Sequence, residues 1–358
     1  MSGTPNETVE APSTQQGEFE KLTQIVSAEF QIEEALLEHN VPTYYLKQPQ
    51  ETKQAFLRLL KNLEAMNLIA FLRRVDNRIV LKIVPKPPVK KSNITVNWIL
   101  FFATIGTTFV TGYLLSLDLI DPPLIGGATF TVAMMAVLGM HEMGHKISAN
   151  KRSVEATPPY FIPGPPPFGT FGAVIMQKSL PPNKDALFDI GASGPIMGFI
   201  VATIVSAVGL TMLIPSSPKA DTTIIQTPIL WILLAQFLSS LNLIPRTVGN
   251  QVLYLHPVTF AGWVGLVVTL LNLLPAAMLD GGHVARSMVS EKPRFVLSAL
   301  SILFLFYEGF WPMAFLVLFL SMYRHPGPLD DVSNLSMGRK LSSIALVAVF
   351  VLCLFTSF

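Results

Sequence analysis

The sequence predicts a polytopic α-helical membrane protein with a small α+β unit at its N-terminal end, and three observations predict it. Of its 358 residues, 51% are hydrophobic and only 13% are charged, about half the charge of an ordinary soluble domain. The charge is unevenly placed: residues 1–91 hold 23 of the 48 Asp, Glu, Lys and Arg, leaving the other 267 residues about 9% charged. Apolar runs then recur along that remainder, many near the roughly 20 residues a spanning helix needs. The same arithmetic excludes other classes. The one cysteine, Cys353, lies inside an apolar run, so there is no disulfide framework. With a formal net charge of +2 and no basic stripe beyond Lys86, Lys90 and Lys91, no nucleic-acid partner is expected.

In chain order, residues 1–17 hold Pro, Ser, Thr, Gln and Glu but no Lys or Arg, which predicts a disordered tail. They lack the basic start of a signal peptide and the arginines of an organelle transit peptide. A prokaryotic-type cell membrane, entered by the chain's own spans, is therefore expected ahead of an organelle. Residues 18–84 read as a small cytoplasmic α+β domain. Within 51–67, Phe56, Leu59, Leu60, Leu63 and Met66 fall at helical spacing. Residues 68–75 and 78–84 flank Asp76-Asn77, a two-residue hairpin turn. Residues 30–39 are ambiguous between helix and strand, and His39 reads as a solvated loop histidine. Residues 85–94, with Pro85, Pro87, Pro88, Lys86, Lys90 and Lys91, form a stiff basic linker.

Residues 95–358 form the membrane domain. Its candidate segments are 96–117, 126–146, 188–214, 228–244, 258–279, 295–307, 310–323 and 341–358, giving about six to eight membrane segments. Basic residues before the first and after the second segment (Lys146, Lys151, Arg152) place both on the cytoplasmic side, and Asp118 and Asp121 lie outside. Segment 228–244 opens on Pro228 and carries Gln236, Ser239, Ser240 and Asn242. A complete span there would reverse the next one, so it is expected to be re-entrant or surface-lying. Residues 295–323 are either one span or a hairpin broken at Glu308-Gly309, with Arg324, Arg339 and Lys340 favouring the hairpin. The last segment then ends outside at Phe358.

The chemistry is concentrated in His141-Glu142-Met143-Gly144-His145, an H-E-x-x-H. Residues i and i+4 share a helix face, so both imidazoles reach one Zn²⁺, while Glu142 is turned about 100° from His141. It is left free to take a proton from an attacking water. Ionisable residues inside an apolar stretch default to function. Catalytic zinc needs three protein ligands and an open position, so a third donor is expected at similar depth. Asp280 stands out in the run from Asn272 to Gly282. Pro275 interrupts the helix, and Gly281 and Gly282 are expected to turn the backbone sharply just after the carboxylate. The plainer reading of Asp280 is a helix-ending turn.

His141–His145 together with Asn272-x-x-Pro275-x-x-x-Leu279-Asp280-Gly281 resembles the paired signature of the site-2 protease family of intramembrane zinc metalloproteases. The runs at 168–175 and 186–190, Gly194-Pro195, Leu255-His-Pro257 and 262–266 are similar to its plastid, cyanobacterial and archaeal branch. So is the soluble segment at 56–85, and the likeness covers most of residues 20–335. It implies a three-helix catalytic core, one zinc per chain held by His141, His145 and Asp280, and Glu142 as general base. It also implies transmembrane protein substrates in a lipid bilayer.

Hydrolysis at membrane depth requires an unwound substrate, because a helix hides its carbonyls in its own hydrogen bonds. Residues 168–177 alternate in the manner of a strand. They are the expected membrane-dipping β segment, with Phe168, Gly169, Thr170, Phe171 and Gly172 as the candidate strand to which substrate pairs by β-augmentation; the plainer reading is a cytoplasmic loop with a hydrophobic face. Asn272 is either a donor to the developing oxyanion or a bridge between helix backbones. His256 is expected to orient the segment it precedes; His283, close after the glycines, is either a hydrogen-bonding neighbour of the site or, more commonly for such a residue, a basic interfacial anchor. The function expected is intramembrane endopeptidase; a zinc-binding, non-proteolytic scaffold or chaperone is the alternative. A transporter is weaker, for want of an inverted repeat. Sequence is silent on oligomeric state.

Overall fold

The computed structural model describes residues 12–88, 92–217, 225–248, 251–323 and 325–356. Two units form. The first comprises Met1–Val89 with Pro182–Lys184 and Pro328–Asn334; the second comprises Lys90–Pro181, Asp185–Gly327 and Leu335–Phe358. Residues 1–11, Lys90, Lys91, Arg324 and Phe358 lie outside the described residues.

The first unit runs α1 (Pro12–Ser27), β1 (Ile32–Glu38), β2 (Val41–Leu46), α2 (Lys53–Glu64), β3 (Leu68–Val75) and β4 (Arg78–Pro85). Its antiparallel sheet has the order β1-β2-β4-β3. The ambiguous stretch 30–39 thus resolves as a strand. Both hairpins turn through two residues of left-handed backbone, His39-Asn40 (φ 52° and 63°) and Asp76-Asn77 (φ 46° and 65°), as tight hairpins of the favoured hand require. Phe56, Leu59 and Leu63 of α2 are fully buried with Tyr44, Leu72 and Leu81 of the sheet, while Leu60 and Met66 are half-buried.

Two sequence expectations need correction here. Residues 12–17 are the start of α1 and not disordered tail: Pro12 suits a helix's first turn, and buried Leu22 and Val26 anchor the same helix downstream. Nor is 95–358 one uninterrupted piece. Residues 328–334 join the edge of β3, where the Leu72 N–H donates to the Leu329 carbonyl at 2.9 Å and Arg73 Nη1 donates to it at 2.6 Å. An open strand edge gains from such cover. Buried Asp330 folds this stretch by accepting the Val332 and Ser333 N–H groups, each at 2.9 Å.

The second unit is mostly helical. It begins with α3 (Ile94–Ser116) and α4 (Pro123–Lys151), followed by the hairpin β5 (Tyr160–Pro163) and β6 (Thr170–Val174). After α5 (Lys184–Thr211) come β7 (Ile214–Ser216), β8 (Thr227–Pro228), α6 (Ile229–Ser240) and β9 (Val252–Tyr254). The remainder is α7 (Pro257–Leu273), α8 (Asp280–Met288), α9 (Glu291–Tyr307), α10 (Trp311–Ser321), α11 (Met337–Cys353) and β10 (Phe355–Thr356). β7 pairs with β9 and β8 with β10.

Among the described residues, three helices, α3, α4 and α5, are long and apolar enough to cross a membrane. With 12 residues, α6 extends about 18 Å, short of the roughly 30 Å hydrocarbon core. α9 and α10 are separate helices, parted at Gly309 (φ +79°), and their Leu305, Ala314 and Val317 are buried in one cluster with Leu274, Ala276 and Leu279. α5 and α7 pack through small residues, where Thr259 Oγ1 donates to the Gly209 carbonyl at 2.8 Å, in the way membrane helices approach closely. Charges collect at helix ends. Arg339 forks Asp189 at 2.6 and 2.7 Å and reaches Asp185 at 3.0 Å, and Arg152 also pairs with Asp189. This cluster ties together α4, α5 and α11.

Candidate metal centre

His141, Glu142 and His145 lie in the C-terminal half of α4 and are 3%, 7% and 6% exposed. Helical spacing aims both imidazoles at one point. The third group arrives 135 residues beyond His145. α7 stops at Leu273, residues 274–279 are irregular, and Asp280 opens α8. The expected sharp turn at Gly281-Gly282 is not there. Both glycines are helical, and the left-handed residue is Ala277 (φ 47°). The glycines serve close approach instead: a Cβ on Gly281 would sit 2.2 Å from the Leu273 carbonyl oxygen, and one on Gly282 would sit 2.5 Å from those of Ala276 and Ala277. Their small size lets α8 fold back on the end of α7, which brings the Asp280 carboxylate in.

Three donor atoms converge. Asp280 Oδ2 is 3.2 Å from His141 Nε2 and 3.1 Å from His145 Nε2, and the two Nε2 atoms are 3.3 Å apart. A tetrahedral zinc with ligands at 2.0–2.1 Å requires donor-to-donor edges of about 3.3–3.4 Å. The triangle therefore fits zinc in both donor chemistry and size. His145 Nδ1 lies 2.7 Å from the Ile190 carbonyl and donates to it, which fixes the tautomer that leaves Nε2 with its lone pair. Of the described His, Cys, Asp and Glu residues, these three form the group able to hold a metal ion.

The ring positions depend on a track of small residues in α5 that sequence reasoning passed over. A Cβ on Gly194 would stand 2.0 Å from His145 Nε2, and one on Gly198 would stand 2.8 Å from His141 Nδ1. Gly194 entered the sequence argument only through a family likeness. Its three-residue spacing from Gly191 and four-residue spacing from Gly198 marks one helix face, which is the signal that was available.

A cavity of about 260 Å³ opens on the triangle, lined by Glu142, Ala173, Val174, Ile175, Asn272 and His283 among others. Glu142 stands apart from the donor triangle and shares the cavity wall with Ile175. Asn272, in the last turn of α7, reaches the same cavity. The β segment exists within 168–177, but it starts later than the candidate substrate strand at 168–172. Thr170, Phe171 and Gly172 are in β6, whereas Phe168 and Gly169 form the preceding turn. Gly169 has φ +74°, its carbonyl accepts from Thr107 Oγ1 at 2.7 Å, and Phe168 stacks on Phe260. Strand geometry cannot begin until Thr170, so the cavity is lined by Ala173, Val174, Ile175 and Gln177, downstream of the residues expected. His256 caps α7, accepting the Val258 N–H at 3.1 Å. Of the two readings of His283, the structure favours the neighbour of the site: it faces the cavity, because it follows Asp280 by one helical turn.

Comparison with known proteins agrees with this geometry. The peptidase family M50 matches residues 129–307, half of the chain, from the α4 motif through Asp280 to α9. "Probable zinc metalloprotease EGY1, chloroplastic" of Oryza sativa subsp. japonica is 31% identical over 229 residues, covering 62% of this chain and 39% of that protein. The Arabidopsis thaliana protein of the same name is 31% identical over 245 residues, 65% of this chain and 44% of that one. "Probable zinc metallopeptidase EGY3, chloroplastic" of Arabidopsis thaliana is 27% identical over 187 residues, 49% and 31% of the two chains. The chain thus spans less than half the length of these curated relatives. With the family's match running through both halves of the donor triangle, the chain belongs to peptidase family M50.

Proposed function

We propose that this chain is a zinc-dependent intramembrane endopeptidase that hydrolyses peptide bonds in or near transmembrane segments of membrane-protein substrates. The observation that carries the reading is the His141–His145–Asp280 triangle, with Glu142 beside it and outside it. His141, His145 and Asp280 would hold the one zinc ion, which when bound supplies Lewis acidity to the peptide carbonyl and to the attacking water. Glu142 takes the proton from that water and returns it to the leaving amine. Asn272 supplies a neutral donor to the carbonyl oxygen as charge develops. Unwound substrate pairs with the backbone of β6 near Ala173–Ile175, which replaces 168–172 as the proposed substrate strand. The Glu142 position argues against a non-proteolytic zinc scaffold, since holding metal requires no free carboxylate there.

The wider layout follows the same reading: the α+β domain of α1 to β4 in the cytoplasm, a basic linker between β4 and α3, and six to eight membrane segments in which α6 does not cross. Lys146, Lys151 and Arg152 at the end of α4 support a cytoplasmic position for that end. The plant relatives are named as chloroplastic; for this chain the proposed setting is a prokaryotic-type cell membrane. The test uses purified protein with zinc and a helix-destabilised transmembrane peptide. Wild type should cut it, and Glu142→Gln should keep zinc while losing activity by about 10²- to 10⁴-fold. A zinc-loaded wild type that cuts no such peptide would return the scaffold reading.

A further inference from the structure

His283 lies one turn past Asp280 and lines the catalytic cavity, yet has no part in the steps above. Its ring is held from behind. His325 Nε2 lies 2.8 Å from His283 Nδ1, and the Gly327 N–H donates to His325 Nδ1 at 3.0 Å. A backbone N–H can only donate, so His325 Nδ1 is an acceptor and its proton sits on Nε2. That proton is given to His283 Nδ1. His283 Nδ1 is then the acceptor, and its own proton sits on Nε2.

We propose that His283 is fixed as a neutral, Nε2-protonated donor into the active-site cavity, positioned by His325, and that it hydrogen-bonds a backbone carbonyl of the bound peptide. The inference rests on the peptidase reading. It also explains why a histidine so close to three metal-donor groups is not a fourth: one ring nitrogen is already accepting a hydrogen bond and the other carries a proton, so no lone pair remains for a cation. The loop that begins the relay is shaped for it. Gly327 has φ +71°, and a Cβ there would meet Arg286 Nη2 at 2.6 Å. Burial pushes His325 down to about 3, with His283, Arg286 and Arg294 adding to the effect, so its neutral form is the one present at physiological pH. On the other flank, a Cβ on Gly191 would stand 2.9 Å from both the Asp280 carbonyl oxygen and His283 Cβ. α5 therefore passes His283 without crowding its ring.

The zinc-loaded full chain in nanodiscs tests this with three readouts: zinc per chain, kcat/KM on the transmembrane peptide, and the ¹⁵N NMR tautomer of His283. His283→Leu should keep zinc and lower kcat/KM about a hundredfold, as loss of one preorganised donor does. His283→Gln, whose amide still donates, should recover most of that loss. His325→Leu should lower kcat/KM about tenfold and convert the single Nε2-protonated signal of His283 to a mixture. Zinc loss in His283→Leu would assign its proton to Asp280 and overturn the peptide-carbonyl role. So would wild-type cleavage by that variant, or an Nδ1-protonated His283 in the wild type. If the wild type cuts nothing, the peptidase reading fails and the peptide-donor role with it. The tautomer spectrum still reports separately on the relay.

Discussion

Gly194→Ala adds one methyl group to α5, and the structure specifies what it strikes. The new Cβ would lie 2.0 Å from His145 Nε2, 2.4 Å from Cε1 and 2.5 Å from Cδ2. Opening even the tightest tolerated carbon contact, near 3.0 Å, moves the imidazole by about 1 Å. Metal sites hold their ligand distances within about 0.2 Å, and a 1 Å misplacement costs about a hundredfold in rate. Gly194→Ala should therefore empty the site and reduce peptide cleavage by at least about a hundredfold. Helix propensity acts in the opposite direction, favouring alanine by about 0.8–1 kcal/mol, so loss of metal should occur in a chain that is still folded. Gly106→Ala is the control, since a Cβ there meets nothing within 4 Å; it should keep full zinc and activity. The assays are zinc stoichiometry by elemental analysis, cleavage rate, and thermal unfolding in detergent. A Gly194→Ala protein with one zinc per chain and wild-type cleavage would refute the placement of His145 against α5.

Arg339→Ala should lower unfolding stability by about 1–3 kcal/mol, because it leaves the partly buried Asp185 and Asp189 without their forked partner. Arg339→Lys should not restore it, since an ammonium cannot make the paired contact, and full rescue by lysine would argue against the fork. Phe56→Ala should cost about 3–5 kcal/mol, read as lost hydrogen-exchange protection in α2, β3 and β4; unchanged protection would remove Phe56 from the core. Glu38 accepts from Lys82 Nζ at 3.0 Å and from Tyr45 Oη at 2.9 Å, and these bonds hold its carboxyl below the ordinary value. A depressed folded value gives stability that is present above the unfolded carboxylate range and is lost as pH falls through the folded value. Lys82→Ala should raise the Glu38 midpoint in an NMR titration, and an unmoved midpoint would exclude the pairing.

What could be read from sequence was whatever has a local or paired signature. His141 and His145 announce themselves by a four-residue spacing, Asp280 by its cost in an apolar run, and the β3–β4 turn by Asp76-Asn77. What could not be read depends on partners remote in the chain. Gly194 and Gly198 matter for the imidazoles they admit: their spacing marks a helix face, but nothing near them in the chain names the rings that need the space. His325 lies 42 residues from His283, and neither has a spacing that suggests the other. The start of β6 was misplaced because Gly169 is held by Thr107, a long-range constraint that alternation does not encode. The β1–β2 turn was missed because residues 30–39 do not alternate cleanly, so no strand was legible before His39-Asn40.

The distance along the chain between the donor groups also sets a clock. His145 and Asp280 are 135 residues apart, and at ordinary elongation rates of 5–20 residues per second the carboxylate is made roughly 7 to 27 seconds after the imidazoles. During that interval the growing chain offers a metal only two ring nitrogens on one helix. α5 must also be in place before His145 Nδ1 finds its acceptor at Ile190. On the proposed reading, hydrolytic competence arrives only with the last of the converging segments. On that same reading, a chain halted midway through insertion cannot yet hydrolyse the neighbours it meets in the membrane.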